Sequence, residues 1–215
     1  MTEVPLEVVD TVLLHVDDVK ERFRIAVILC RLHVRDSCIP RLPQCAPDCA
    51  AERGNVDLLE WWKQSGLEMK WTDKASYRAS RNGHIAVLHW WKQRGLEMKC
   101  TAAYVCDWVS KNGHVNVLDW WKQSGLEMQW TKDACDWASG NGHVAGLNWW
   151  RQTGLEMKWT SDARDRASET GHVAVLDWWK QSGLEMQWTA YACDWASRNG
   201  HVAVLDWWKQ SGLRR

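Results

Sequence analysis

Apolar and polar residues follow a helical period in a segment that recurs along most of the chain. In the copy from His172 to Gln181, the apolar residues, which include Trp178 and Trp179, fall on an arc of about 220°. Trp179 lies near the centre of this arc, and Asp177 lies on the opposite side. An arc this wide predicts a helix that neighbours bury on both flanks. Gly183, just after the last turn, predicts a left-handed C′ residue.

A shorter helix is predicted before this one in each copy. A threonine precedes it, and we expect the hydroxyl to cap the helix by accepting from a backbone N–H one turn in. Alanines spaced four apart, such as Ala134 and Ala138, form a narrow small-residue stripe where helices can approach closely. An Asn-Gly or Thr-Gly pair then turns the chain. The threonines are Thr72, Thr101, Thr131, Thr160 and Thr189.

The two helices together form an internal repeat of 29 or 30 residues, marked by turn glycines at Gly54, Gly83, Gly113, Gly142, Gly171 and Gly200. One extra residue between Thr101 and Gly113 predicts a local bulge. Six units cover residues 46–215, and residues 1–45 have a different character. Because a single unit cannot bury its own helices, we predict an all-α solenoid of six helix-turn-helix units behind an N-terminal helical cap.

The unit resembles the ankyrin repeat. Ala167 to His172 read Ala-Ser-Glu-Thr-Gly-His, and apolar pairs and a closing Gly183 follow, as in that family. The family's Thr-Pro-Leu-His opening is absent, and the period is 29 residues rather than about 33. The missing residues fall where ankyrins build a β-hairpin. The resemblance therefore implies a hairpin-less, ankyrin-like stack whose first helices line a concave binding groove.

The N-terminal segment 1–45 carries a weaker resemblance, to the F-box. Val4 to Val9 resemble the start of that motif, and Arg24 to Arg31 resemble the helix that closes it. The resemblance implies docking on the adaptor of cullin-RING ubiquitin ligases through residues 4–31, and hence a substrate receptor. The alternative is a plain helical cap over the apolar face of the first unit.

Composition narrows the function classes. The chain has 19 Trp against one Phe and three Tyr, which indicates repeated copying of a Trp-containing unit. Apolar residues make up 46%, which excludes wholesale disorder. The formal net charge is zero, and nucleic-acid affinity depends mostly on neutralising phosphates. A helical-repeat reader of single-stranded RNA, which would use Trp stacking and Arg, is therefore disfavoured against a protein partner.

No targeting or membrane-spanning segment is expected. Met1 is followed by neither a basic nor an apolar region, and the longest notable apolar run is Ile25 to Cys30. A membrane span needs about 20 apolar residues. We expect a cytoplasmic or nuclear protein whose cysteines are thiols.

Recurrent chemistry-bearing residues predict neither an enzyme nor a cofactor or metal site. Equivalent histidines of adjacent units would lie about 8–10 Å apart, whereas ligands of one zinc lie ~2.0–2.1 Å from the metal. A capping or turn-stabilising role is expected for His84, His114, His143, His172 and His201. A solvated face is expected for Asp107, Asp136, Asp165 and Asp194. Cys45 and Cys49, with Cys38 and His33 nearby, are expected to be two thiols on one helical face and not zinc ligands.

Variation among the units points to a candidate binding row on the first helices. Five residues before each turn glycine stand Cys49, Arg78, Trp108, Trp137, Arg166 and Trp195, and two residues before it stand Glu52, Arg81, Lys111, Gly140, Glu169 and Arg198. Trp and Arg are enriched at binding hot spots. We predict that Arg78, Trp108, Trp137, Arg166 and Trp195 bind a protein partner. Neutral drift between recent copies is the alternative, because Trp and Arg codons differ by one base.

Overall fold

The computed structural model describes residues 42–64, 71–96, 104–185 and 187–213. Over these ranges the chain is helical, and no strand is formed. The helices are α1 Leu42–Glu52, α2 Val56–Gln64, α3 Asp73–Arg81, α4 Ile85–Gln93, α5 Val105–Lys111, α6 Val115–Ser124, α7 Asp133–Gly140, α8 Val144–Gln152, α9 Asp162–Glu169, α10 Val173–Ser182, α11 Tyr191–Arg198 and α12 Val202–Ser211.

Helix contacts follow chain order. Each odd-numbered helix contacts the even-numbered helix after it and also the next odd-numbered helix. The even-numbered helices likewise contact one another in sequence. Ala134 and Ala138 are fully buried, as expected where small side chains let the odd-numbered helices approach closely. The described residues therefore form an all-helical, repeat-like arrangement.

Helix ends follow the predicted signals. Thr160 Oγ accepts from the backbone N–H of Asp162 at 3.2 Å, and the hydroxyls of Thr72, Thr131 and Thr189 make the same contact two residues on. Gly183 follows α10 with a φ of 70°, in the left-handed region. The glycine prediction is confirmed, and the threonine prediction is confirmed for Thr72, which directly precedes α3. Thr131, Thr160 and Thr189 make the same contact, but Lys132, Ser161 and Ala190 stand between them and the helix. Helix α1 begins at Leu42, before the predicted domain boundary. Of the segment between Thr101 and Gly113, where a bulge was expected, residues 101–103 lie outside the described ranges and residues 105–111 form α5.

The tryptophan doublets anchor each helix pair to the pair before it. Trp150 and Trp179 are fully buried, which confirms them as core residues. From Trp121 onward, each second indole N–H donates to a buried serine on the odd-numbered helix of the preceding pair, in the pairs Trp121–Ser80, Trp150–Ser110, Trp179–Ser139 and Trp208–Ser168. Each first indole N–H donates to the residue just before the preceding doublet, in the pairs Trp90–Glu60, Trp120–His89, Trp149–Asp119, Trp178–Asn148 and Trp207–Asp177.

One indole in the described core lacks this partner. Trp91 is 2% exposed and its Nε1 makes no hydrogen bond, because Ala51 occupies the place that serine holds in the later pairs. A buried unpaired donor costs about 1–3 kcal/mol. We expect Ala51→Ser to raise the free energy of unfolding by about 1 kcal/mol by supplying the acceptor. Urea unfolding checks this, with Ser139→Ala as the matched reverse substitution, for which we expect a loss. No gain from Ala51→Ser would mean that the indole already has a partner.

The prediction of a solvated face is wrong for Asp107, Asp136 and Asp165, whose carboxylates contact the next unit, whereas Asp194 is exposed as predicted. Asp136 is 1% exposed, and its carboxylate accepts from both the backbone N–H and the hydroxyl of Thr160, at 2.9 and 2.6 Å. The same clamp joins Asp48 to Thr72, Asp107 to Thr131, and Asp165 to Thr189. Burial raises the pKa of Asp107 and Asp136, although the threonine hydrogen bonds act in the opposite direction. The carboxylates hold the start of one helix pair against the previous odd-numbered helix.

The histidines stabilise the turn of the preceding pair. A Cβ placed on Gly142 would lie 2.9 Å from the ring of His172, and four other turn glycines meet the next histidine in the same way. Among the described residues, a histidine precedes α4, α6, α8, α10 and α12, and none of these side chains makes a capping hydrogen bond. Of the two roles predicted for the histidines, the structure therefore supports turn stabilisation and not helix capping. Burial lowers the pKa of His114 and His172, and the neighbouring imidazoles lower it further.

Candidate partner-binding site

The five residues of the predicted binding row lie on odd-numbered helices, and their side chains differ in exposure to solvent. Arg78 is on α3, Trp108 on α5, Trp137 on α7, Arg166 on α9 and Trp195 on α11. Trp195 is 39% exposed, while Trp108 and Trp137 are half-buried. All five side chains therefore reach the surface in part.

Trp108 and Trp137 form the aromatic centre of the row. Their ring centroids are 5.1 Å apart at an interplanar angle of 60°. The Arg81 guanidinium and the Lys111 ammonium each lie 4.4 Å from the Trp108 centroid, and Lys111 is also 5.1 Å from the Trp137 centroid. We call these four residues the Trp108–Trp137 cluster. It joins three consecutive odd-numbered helices in one surface.

The cations of this cluster are held by aromatic rings and not by carboxylates. Among the described residues neither Arg81 nor Lys111 forms an ion pair. A cation over an indole face is stabilised by the ring quadrupole by about 0.5–1 kcal/mol at exposed sites. That contact leaves the positive charge uncompensated, so the cluster is an apolar surface with a net positive edge.

The arginines of the row contact acids instead. Arg78 pairs with Glu52 at the end of α1 at 2.6 Å, and Arg166 pairs with Asp162 on its own helix at 3.3 Å. Arg166 also lies against Gly140, where an added Cβ would be 3.0 Å from the Arg166 Cβ. Because Gly140 has no side chain, Arg166 can pack directly against the backbone of α7.

Trp195 also has a cation over its ring, from Arg198 one turn later on α11. The Arg198 guanidinium lies 5.1 Å from the Trp195 centroid. The structure thus brings together Trp108 and Trp137, whereas Arg78, Arg166 and Trp195 make their side-chain contacts separately. Sequence comparison of the units placed Arg81, Lys111 and Arg198 at a variable position but did not assign them to the site. The i, i+3 spacing from Trp108 to Lys111 was the available signal.

Within the described residues, no group of three or more His, Cys, Asp or Glu side chains is placed to hold a metal ion. Burial raises the pKa of the Cys135 thiol, which disfavours the reactive thiolate. None of the described helices is long and apolar enough to span a membrane.

Residues 1–41 lie outside the described ranges. They include the F-box-like segment 4–31, Cys38, His33 and all of the predicted cap except residues 42–45, which begin α1. Comparison of the sequence with protein-family models and with curated proteins finds no match.

Proposed function

We propose that this protein is a non-enzymatic binding scaffold: an ankyrin-like solenoid of six helix-turn-helix units, with an N-terminal helical cap, that captures a protein partner across its first helices. The observation that supports this proposal is the Trp108–Trp137 cluster. Two touching, half-buried indoles offer a large apolar contact area. The uncompensated Arg81 and Lys111 add charge-assisted hydrogen bonds to a carboxylate.

The charge of the cluster defines the chemistry of the partner. A segment that presents an apolar side chain flanked by Asp or Glu would cover the indoles and neutralise Arg81 and Lys111. Outside the cluster, the arginines of the row are already neutralised, because Arg78 pairs with Glu52 and Arg166 pairs with Asp162. The acidic residues of the partner are therefore expected over helices α3 to α7.

Single-stranded RNA fits the cluster less well. Base stacking needs an open aromatic face, and two cations already lie over the Trp108 ring at 4.4 Å. The formal net charge of zero also provides no long-range attraction for phosphates. Salt-dependent binding of a fluorescent RNA 30-mer that requires Trp108 and Trp137 would favour the RNA alternative.

The test uses the full chain and the triple variant Trp108→Ser, Trp137→Ser and Trp195→Ser. Random peptides displayed on phage are selected on the wild-type protein, and the dissociation constant of each enriched peptide is then measured for both proteins. We expect enriched peptides to carry Asp or Glu beside an apolar residue. Loss of hot-spot tryptophans should cost at least about 2 kcal/mol of binding, while stability stays near that of wild type.

Leu126→Ser is the matched control, because Leu126 is also 39% exposed but lies in a connection after α6, off the row. It should leave peptide binding unchanged. Unfolding of the triple variant without a specific loss of binding would mean that these tryptophans are structural. Equal binding by the triple variant and the wild type would place the site elsewhere.

A further inference from the structure

The ends of the odd-numbered helices carry charges of opposite sign at one unit position, two residues before the turn glycine. This position holds Arg81 on α3, Lys111 on α5, Gly140 on α7 and Glu169 on α9. Equivalent positions of packed helices lie about 8–10 Å apart. A partner segment that runs along the array therefore meets two cations, then a residue without a side chain, and then a carboxylate.

The carboxylate of Glu169 is available to a partner. Its side chain is half-buried, and among the described residues it forms no ion pair. Arg166, one turn earlier on α9, pairs instead with Asp162. Arg198, at the same unit position on α11, lies over the ring of Trp195. Both neighbouring cations have other contacts, so the carboxylate can pair with a cation supplied from outside.

Gly140 leaves a gap between the two cations and the carboxylate. The side-chain carbons of Arg166 border this gap, because they lie 3.0–3.9 Å from a Cβ placed on Gly140. Trp137 stands three residues before Gly140 and therefore on the same face of α7. Its half-buried ring also contacts Trp108. An apolar side chain over Gly140 would pack between the Trp137 ring and the arginine stem.

The spacing of the helix ends selects the conformation of a segment that contacts each of them in turn. Polyproline II has three residues per turn and a rise of about 3.1 Å, so its same-face side chains repeat at about 9.3 Å. The corresponding repeat is about 6.6–6.8 Å in a β-strand and about 10.5 Å, or seven residues, in an α-helix. Only the polyproline II repeat matches a step of about 8–10 Å.

We propose that the partner segment is a polyproline II helix that presents an acidic, an apolar and a basic residue at successive three-residue intervals. The acidic residue pairs with Arg81 and Lys111. The apolar residue lies over Gly140 against Trp137, and the basic residue pairs with Glu169. Proline-rich segments hold this conformation before binding and dock in aromatic-lined grooves. The inference rests on the proposed function and adds the spacing and the polarity of the ligand.

The first test compares three isomeric peptides on the full chain by fluorescence anisotropy. The matched peptide is fluorescein-labelled Glu-Pro-Pro-Leu-Pro-Pro-Arg. One control moves the leucine by one place, as Glu-Pro-Leu-Pro-Pro-Pro-Arg, and the other moves the arginine, as Glu-Pro-Pro-Leu-Pro-Arg-Pro. Each move turns that side chain by about 120° around the helix. We expect both controls to bind about tenfold more weakly than the matched peptide. Equal dissociation constants for the three peptides would overturn the proposal.

The second test reverses the charge on α9. Glu169→Lys should weaken binding of the matched peptide by about tenfold and should strengthen binding of the peptide in which glutamate replaces the arginine. Glu127→Lys is the matched control, because it makes the same change of net charge at an exposed residue in the connection after α6. It should leave both dissociation constants unchanged. Equal effects of the two substitutions would show that the basic residue does not contact Glu169 and would overturn the proposal.

The phage-enriched peptides separate this inference from the proposed function. If they lose binding to the triple tryptophan variant but bind Glu169→Lys as tightly as wild type, the proposed function stands and this inference is wrong. The inference is also wrong if they bind while the matched peptide does not. Equal binding by the triple variant and the wild type would reject the proposed function, and this inference with it.

Discussion

Replacing Trp150 with alanine is expected to lower the free energy of unfolding by about 3–5 kcal/mol. Trp150 is fully buried in α8. Its ring packs edge-on against Trp149, with the centroids 4.9 Å apart, and at a tilt of 41° against Trp130, with the centroids 5.4 Å apart. Its indole N–H donates to Ser110 at 2.9 Å. Truncation removes the ring contacts, leaves a cavity and strands a buried hydroxyl, so Trp179→Ala should have a similar cost.

Two further variants divide this loss into its parts. Trp150→Phe keeps most of the ring but removes the donor, so we expect a smaller loss of about 1–2 kcal/mol. Trp195→Ala is the surface control and should cost under about 1 kcal/mol. Urea unfolding is followed by circular dichroism and by fluorescence, because a lesion in the middle of a repeat array can uncouple its two halves. Equal losses from Trp150→Ala and Trp195→Ala would show that Trp150 is not a core residue.

Replacing Asp136 with alanine is expected to lower the free energy of unfolding by about 2–3 kcal/mol. The carboxylate holds two donors of Thr160, and its removal leaves a backbone N–H without its partner at the start of the next helix pair. Asp136→Asn should cost less, because one oxygen can still accept. Asp194→Ala is the matched control at the same unit position, where the side chain is exposed.

The clamp also gives a pH dependence with a defined sign. Burial raises the pKa of Asp136 above its ordinary value of 3.8 in the folded protein. The folded state therefore binds the proton more tightly than the unfolded state, and the contribution of this group to stability falls as pH rises from 3.8 through the folded pKa. Asp136→Asn should remove that part of the pH dependence. A pH profile identical to wild type would contradict a raised pKa at this residue.

The sequence predicted the elements and their buried faces well, because these depend on local spacing. The arc centred on Trp179 identified a residue that is fully buried, and the glycine after it identified the left-handed turn. Such signals lie within one helix and its ends, where helical periodicity and capping chemistry determine the outcome.

Contacts between units were harder to predict, and the aspartates illustrate the reason. Asp136 and Thr160 lie 24 residues apart, so the periodicity of one helix says nothing of their contact. The residue before each tryptophan doublet did carry a signal for a contact between units. Although Glu60, His89, Asp119, Asn148 and Asp177 differ, each can accept a hydrogen bond from the next tryptophan.

The burial of Arg164 could not be predicted from the repeat pattern. This residue occupies the position of the buried Cys106 and Cys135 and is itself fully buried. Its guanidinium lies 4.8 Å from the ring of Trp179, and its Nη1 has no hydrogen-bond partner. Burial lowers the pKa of Arg164 to about 10. A charged residue at a core position reads as surface in the sequence, because only the packing of neighbouring helices shows that the position is closed.

The division of the tryptophans into a core class and a surface class is tested most directly by hydroxyl-radical footprinting of the native chain. The oxidation rate of each tryptophan is read from proteolytic peptides, whose flanking residues distinguish the units. We expect Trp195 to oxidise fastest, Trp108 and Trp137 at intermediate rates, and Trp121, Trp150 and Trp179 slowest, in the order of their exposure. Oxidation of Trp150 or Trp179 as fast as Trp195, or full protection of Trp108 and Trp137, would contradict this division.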